Sequence, residues 1–151
     1  MSTTRSRLEG RFTHWVDREN HDAWGLREPV RWCNRTVVTV VYKIVSESSW
    51  REAEERGAFP GAPVDVADGF IHFSTAGQVA ETAARHFASQ RGLLLAAVSA
   101  EQLGDALRWE PSRGGALFPH LYAPLPLSAV LWVKPLPLGS DGLHEFPPLE
   151  D

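Results

Sequence analysis

The sequence has little cysteine, no basic excess and no long apolar run. Cys33 is the only thiol in 151 residues. A single thiol forms no internal disulfide and supplies no Cys-X-X-Cys pair, so a reducing compartment is expected. Lys and Arg number 15 against 19 Asp and Glu, a formal net charge of −4. With no surplus of cations to neutralise phosphates, nonspecific binding to nucleic acid or to an anionic membrane surface is excluded. No uncharged stretch is long enough to span a bilayer. The opening "MSTTRSRLEGRF" is followed by no apolar core, so it does not read as a secretory leader. Cytoplasm is the expected location. Several catalytic signatures are missing too. There is no HxH or HExxH ligand pair, so a metal at His72, His120 and Glu110 is weakly supported. There is no GxSxG elbow to make Ser74 a nucleophile, and "PSRGG" lacks the Lys-Ser/Thr ending of a phosphate loop.

What is present is an ordinary globular composition, 43% apolar and 23% charged, with a length that suits one domain. The text changes character near Thr36. Residues 1–36 are polar and charged, with Trp15, Trp24 and Trp32 scattered among them, and show no sustained period of 2 or 3.6. They read as an N-terminal extension: either an arm that packs, as the tryptophans favour, or a tail outside the folding unit. From Val37, "VVTVVYKIV" is a β-branched strand over residues 37–45. Ser49 and Glu52 fit a capping box for a short helix ending at Gly57. "FPGAPVDVADG" reads as a loop and residues 70–74 as a short strand. Thr75 and Gln78 fit a second capping box, ahead of a helix whose Val79, Ala83 and Phe87 form a core-facing stripe. "GLLLAAVSA" is a central strand, "EQLG" a helical turn, and "ALRWE", "HLY" and "SAVLWVKPLP" are strands before a loop-like tail. Residues 37–151 are thus expected to form one α+β domain, with a small mixed or mostly antiparallel sheet and two to three short helices.

Side chains alternate faces along a strand. Lys43 opposes Tyr42 and Ile44. His72 and Ser74 oppose Ile71 and Phe73. Arg108 and Glu110 oppose Leu107 and Trp109, and His120 and Tyr122 oppose Leu121. Each fragment has an apolar side, on which Trp109 is expected to pack in the core, and a side bearing a polar or ionisable group. Alternation is also what a plain solvated face produces. Three features favour a shared cleft instead. Histidines flanked by phenylalanine are unusual on a wet face. Both central histidines adjoin turn chemistry. Glu110 ends a strand just before a Pro/Gly loop, where functional groups tend to be presented. His86, on the helix, reads as a half-buried helix residue rather than a ligand.

The motifs Tyr-Lys-Ile, Asp-Gly-Phe-Ile-His-Phe-Ser-Thr, Arg-Trp-Glu and Phe-Pro-His-Leu-Tyr, taken in order, closely resemble the domain-of-unknown-function 952 family, over residues 40–146. That family is similar in fold to the ADP-ribosyltransferase superfamily, which binds a nicotinamide dinucleotide in a split β-sheet. The resemblance implies an ADP-ribosyltransferase-like fold and a small-molecule ligand, with NAD as the candidate cofactor. It implies Lys43 at the first-strand position, contacting phosphate or ribose, where many transferases carry Arg or His. His72 would hydrogen-bond a ribose hydroxyl, and Ser74 and Thr75 would hold a sugar or phosphate at a helix N-terminus. Glu110 would stabilise an oxocarbenium-like transition state. His120 has no counterpart in the simplest transferase triad. Catalysis is therefore expected from His72, Glu110 and His120, and ligand binding from Lys43, Ser74, Thr75, Arg108 and Tyr122. The expected function is a small enzyme of transferase or glycohydrolase type acting on a nucleotide or small metabolite. The alternative is a non-catalytic module that binds a nucleotide-like or anionic ligand. The sequence leaves the oligomeric state open.

Overall fold

The computed structural model describes residues 38–150, so the reading of residues 1–36 as an arm or tail lies outside the described residues. The expected opening strand begins at β1, Val40–Ser46; Val38 and Thr39 precede it as exposed coil. Ser46, not Ser49, caps the helix α1, Glu47–Arg56, its side chain accepting from the Ser49 N–H at 3.2 Å. The helix starts three residues earlier than its capping pattern suggested, because the strand runs into it without a loop. It ends at Gly57, whose φ of +83° is the left-handed cap expected there. After β2, Ala58–Phe59, the segment read as a loop contains a helix, α2, Pro63–Asp68. Pro63 sits at its first turn and Gly69 caps it with φ +88°.

β3, Ile71–His72, leads through Ser74 into α3, Ala76–His86, where the Gln78 side chain accepts from the Thr75 N–H as expected. β4, Leu93–Ser99, a helical turn α4, Ala100–Leu103, and then β5, Leu107–Pro111, and β6, Leu117–Leu121, follow. β7, Leu125–Pro126, and β8, Val130–Pro135, complete the strands.

The domain is α+β, and all its strand pairs are antiparallel, but they form three sheets rather than one: β1-β4-β8, β3-β6-β5 and the two-stranded β2-β7. The two three-stranded sheets meet at a bridge, where Tyr42 and Ser74 exchange backbone hydrogen bonds of 2.8 and 2.9 Å. The first sheet is covered on both faces. Val41, Val45, Ala96 and Val98 join a cluster with Trp50, Phe59, Phe73 and Leu121. Tyr42, Ile44, Leu95 and Ala97 join Val79 and Ala83 of α3, the apolar stripe of that helix. The tail beyond β8 packs as well: Leu136 is buried, Phe146 and Leu149 lie against the second cluster, and the Tyr42 hydroxyl bonds both backbone groups of Glu150 at 2.7 Å. Among the described residues no helix is long and apolar enough to cross a membrane.

Candidate functional site

Lys43 stands on β1 between Val41 and Val45, on the face that enters the larger core, and is 5% exposed. An isolated ammonium there would lose its hydration without return. Asp65, 2% exposed, meets it with both carboxylate oxygens, at 3.1 and 2.8 Å. The same carboxylate accepts from the Ala62 N–H at 2.7 Å, from the His72 N–H at 3.1 Å, and contacts His72 Nδ1 at 2.7 Å. α2 exists to seat this group: Asp65 is its third residue, reaching back to the chain entering the helix. Gly61, at φ +120°, leaves room for it, since a Cβ there would lie 2.9 Å from Asp65 Cβ. Burial pushes the Asp65 carboxyl up, but the His72 hydrogen bond, the Lys43 charge and hydrogen bond and the Ala62 N–H together outweigh it and hold it well below the usual carboxylate range. Burial pulls the Lys43 ammonium below its ordinary value, opposed by Asp65.

His72 continues the chain. Its Nε2 lies 3.1 Å from Asp68 Oδ2, one turn on from Asp65, and its side chain is 37% exposed. It lies between two carboxylates, with the Phe70 ring 4.7 Å from its own. His72 and His120 are direct cross-strand partners in β3 and β6, and their rings meet edge to face at 5.5 Å. They share one face of the sheet, as the alternation requires. The His120 ring is 9% exposed and stacks on Phe70 at 4.3 Å. Its Nδ1 lies 3.1 Å from Glu110 Oε1, which also accepts from the Tyr122 hydroxyl at 2.6 Å. The Tyr122 and His120 hydrogen bonds lower the Glu110 pKa, and the same contact raises that of Tyr122. An ionised carboxylate only accepts, so Asp65 and Glu110 each hold a hydrogen on the Nδ1 that faces them; Nε2 of His72 then faces Asp68, and Nε2 of His120 is the nitrogen left for a ligand.

A cleft of about 520 Å³ opens where β1 and the strand through Ser74 part beyond their bridge. Of the residues singled out from sequence, Lys43, His72, Ser74 and His120 line it. Glu110, Arg108, Tyr122 and Thr75 do not. Glu110 touches the cleft only through His120, and Arg108 lies over the Tyr122 ring at 4.8 Å. Lys43 cannot act as a free point charge, because Asp65 takes it. Two expectations about neighbours are corrected. Trp109 is 41% exposed rather than in the core, because β5 runs past the core at that end, and His86 is exposed and lines the cleft. Asp65 and Asp68 were missed. Their signal was Pro63, Asp65 and Gly69 at the first-turn, third and terminal positions of a short helix. Among the described residues no group of three His, Cys, Asp or Glu is arranged to hold a metal ion.

Comparison with known proteins places this geometry in a family. The model of a family described as protein of unknown function (DUF952) matches residues 44–133. The crystal structure of protein CC0527 from Caulobacter crescentus is 51% identical, with a TM-score of 0.69 over 71% of this chain and 94% of that one. The solution NMR structure of CC0527 is 52% identical, with a TM-score of 0.63 over 69% of this chain and 90% of that one. No curated protein matches. With its family model covering more than half of the sequence, the chain belongs to the DUF952 family.

Proposed function

We propose that this protein is an enzyme with an ADP-ribosyltransferase-like fold that acts on a small hydroxyl-bearing metabolite, of nucleoside or nucleotide kind, by proton transfer in the cleft. The observation that carries the reading is the contact between His72 Nδ1 and the buried Asp65, at 2.7 Å. A carboxylate 2% exposed, gathered with a buried lysine, is a costly arrangement for a protein to keep. What it achieves is a fixed ring orientation, with Nδ1 on Asp65 and Nε2 on the part-exposed side beside Asp68, as positioned proton transfer requires. The division of the sheet into two three-stranded parts, with the cleft at the split, supports the fold assignment.

The two imidazoles have different surroundings. His72 Nε2 lies 3.1 Å from Asp68 Oδ2, which orients this imidazole as the candidate proton donor to a departing atom. His120, held at Nδ1 by Glu110, offers the Nε2 lone pair to take a proton from a substrate hydroxyl or from water. Asp65 and Glu110 are positioning residues. The other reading, a module that binds such a ligand without chemistry, is favoured by one observation: Glu110 lies outside the cleft lining. His72→Gln separates the two readings. Under the catalytic reading, turnover falls by about two orders of magnitude or more with affinity little changed. An affinity loss of about 1 kcal/mol, with no turnover in either protein, supports binding alone.

A further inference from the structure

We propose that the cleft selects a ligand without phosphate, of neutral nucleoside kind, and discriminates against its phosphorylated counterparts. This rests on the reading of the cleft as a small-molecule site and narrows that reading; it removes the dinucleotide from the candidates.

The groups that would hold a phosphate are already engaged within the protein. The Lys43 ammonium is buried against both oxygens of Asp65. The Ser74 N–H is given to the Tyr42 carbonyl at 2.9 Å, and the Ser74 hydroxyl shares a 3.1 Å hydrogen bond with Thr82. At the start of α3, the Thr75 N–H is given to Gln78 at 3.1 Å, and neither Ala76 nor Gly77 lines the cleft. Arg85, on the same helix, is held by Glu81 at 2.9 Å. Against the one neutralised lysine, two aspartates line the cleft, and Asp68 is exposed to it. The other basic groups in the lining are imidazoles: His72 and His120, each held at Nδ1 by a carboxylate, and His86 at the exposed end of α3. A dianion entering this space loses hydration and meets the Asp68 carboxylate, with no lysine or arginine among the described residues of the lining left to balance it.

A neutral ligand meets what is on offer. Among the described residues no protein group partners His120 Nε2, on a ring only 9% exposed. A nearly buried nitrogen without a partner points to a bound hydroxyl or amine, because such groups are otherwise satisfied. Asp68 accepts a second donor. Phe73, Phe87 and Phe118 supply apolar wall for a flat ring, and about 520 Å³ suffices for a base with its sugar.

The test is an NMR titration of the ¹⁵N-labelled full chain with the four common ribonucleosides, their 5′-monophosphates and inorganic phosphate. The expected result is that at least one nucleoside shifts the amides around His72 and His120, and binds about tenfold tighter than its monophosphate, the size of one unfavourable charge contact in a partly shielded site. Inorganic phosphate is expected to leave these amides unmoved. Asp68→Asn is expected to narrow the ratio. A monophosphate that binds tighter than its nucleoside, or phosphate that shifts the cleft amides, overturns the inference and leaves the small-molecule site standing. If no nucleoside or nucleotide moves these resonances, the proposed ligand kind and the inference fall together.

Discussion

The β1-β4-β8 sheet and the β3-β6-β5 sheet use the same antiparallel pairing to different ends. β1 and β4 pair over seven residues and are covered on both faces by apolar side chains. β3 contributes only two residues, and one of its pairs is His72 opposite His120. The first sheet is held by area removed from water. In the second, the face towards Asp65 and Glu110 is held by hydrogen bonds to carboxylates. Lys43 is the exception that links them: one charged residue in an apolar row, placed where β1 meets the split. Stability and chemistry are therefore expected to separate by sheet, except at Lys43 and Asp65, where they coincide.

The largest effect is expected at that junction. Asp65→Ala leaves Lys43 buried and unpaired and should cost about 3–5 kcal/mol, measured by urea unfolding. Lys43→Met combined with Asp65→Ala removes both charges and should recover part of that loss. Leu95→Ala, in the middle of β4, should cost about 2–5 kcal/mol while leaving the histidine ring signals in place. If Leu95→Ala displaces the His72 and His120 signals, the two sheets are not separable.

The junction also gives a pH dependence. Asp65 has its carboxyl pKa lowered on folding from an ordinary 3.8, so its contribution is fully present above about pH 4 and is lost as pH falls below that towards the folded value. Urea midpoints measured from pH 5 down to pH 2.5 should fall, and fall less in the Lys43→Met/Asp65→Asn double variant. Equal slopes in the two proteins would contradict the assignment. The smallest effect is expected at Trp109, 41% exposed towards the end of β5: Trp109→Thr should change stability by no more than about 0.5 kcal/mol. A large loss would mean that the Trp109 side chain is covered in solution.

The two sheets also differ in how much of them the sequence made legible. β1 and β4 were readable as runs of β-branched and apolar residues, and α3 from Thr75, Gln78 and the Val79/Ala83 stripe, because these signals are local. His72, Ser74, His120 and Lys43 were found by alternation, which assigns side chains to faces without knowledge of partners. The strand patterns did not show the division into separate sheets, because strands as short as Ile71–His72 and Leu125–Pro126 are defined by distant partners rather than by their own pattern. Trp109 was misplaced for a related reason: alternation puts it on the side of Leu107, but not how far along β5 the core extends. Asp65 was hidden by Pro and Gly, which mark loops and also the ends of a one-turn helix. The tail was read as loop, although Phe146 and Leu149 anchor it, since two apolar residues three apart carry no period.

The central claim is that Asp65 and Glu110 hold the His72 and His120 imidazoles by Nδ1 and leave Nε2 of each ring on the side away from them. The most direct test is a long-range ¹H–¹⁵N spectrum of the histidine rings in the full chain, with His72→Gln and His120→Gln used to assign the signals. The account predicts hydrogen on Nδ1 in both rings, and the loss of that fixed state for His72 alone in Asp65→Asn and for His120 alone in Glu110→Gln. A bare Nδ1 with hydrogen on Nε2 in either ring would contradict it.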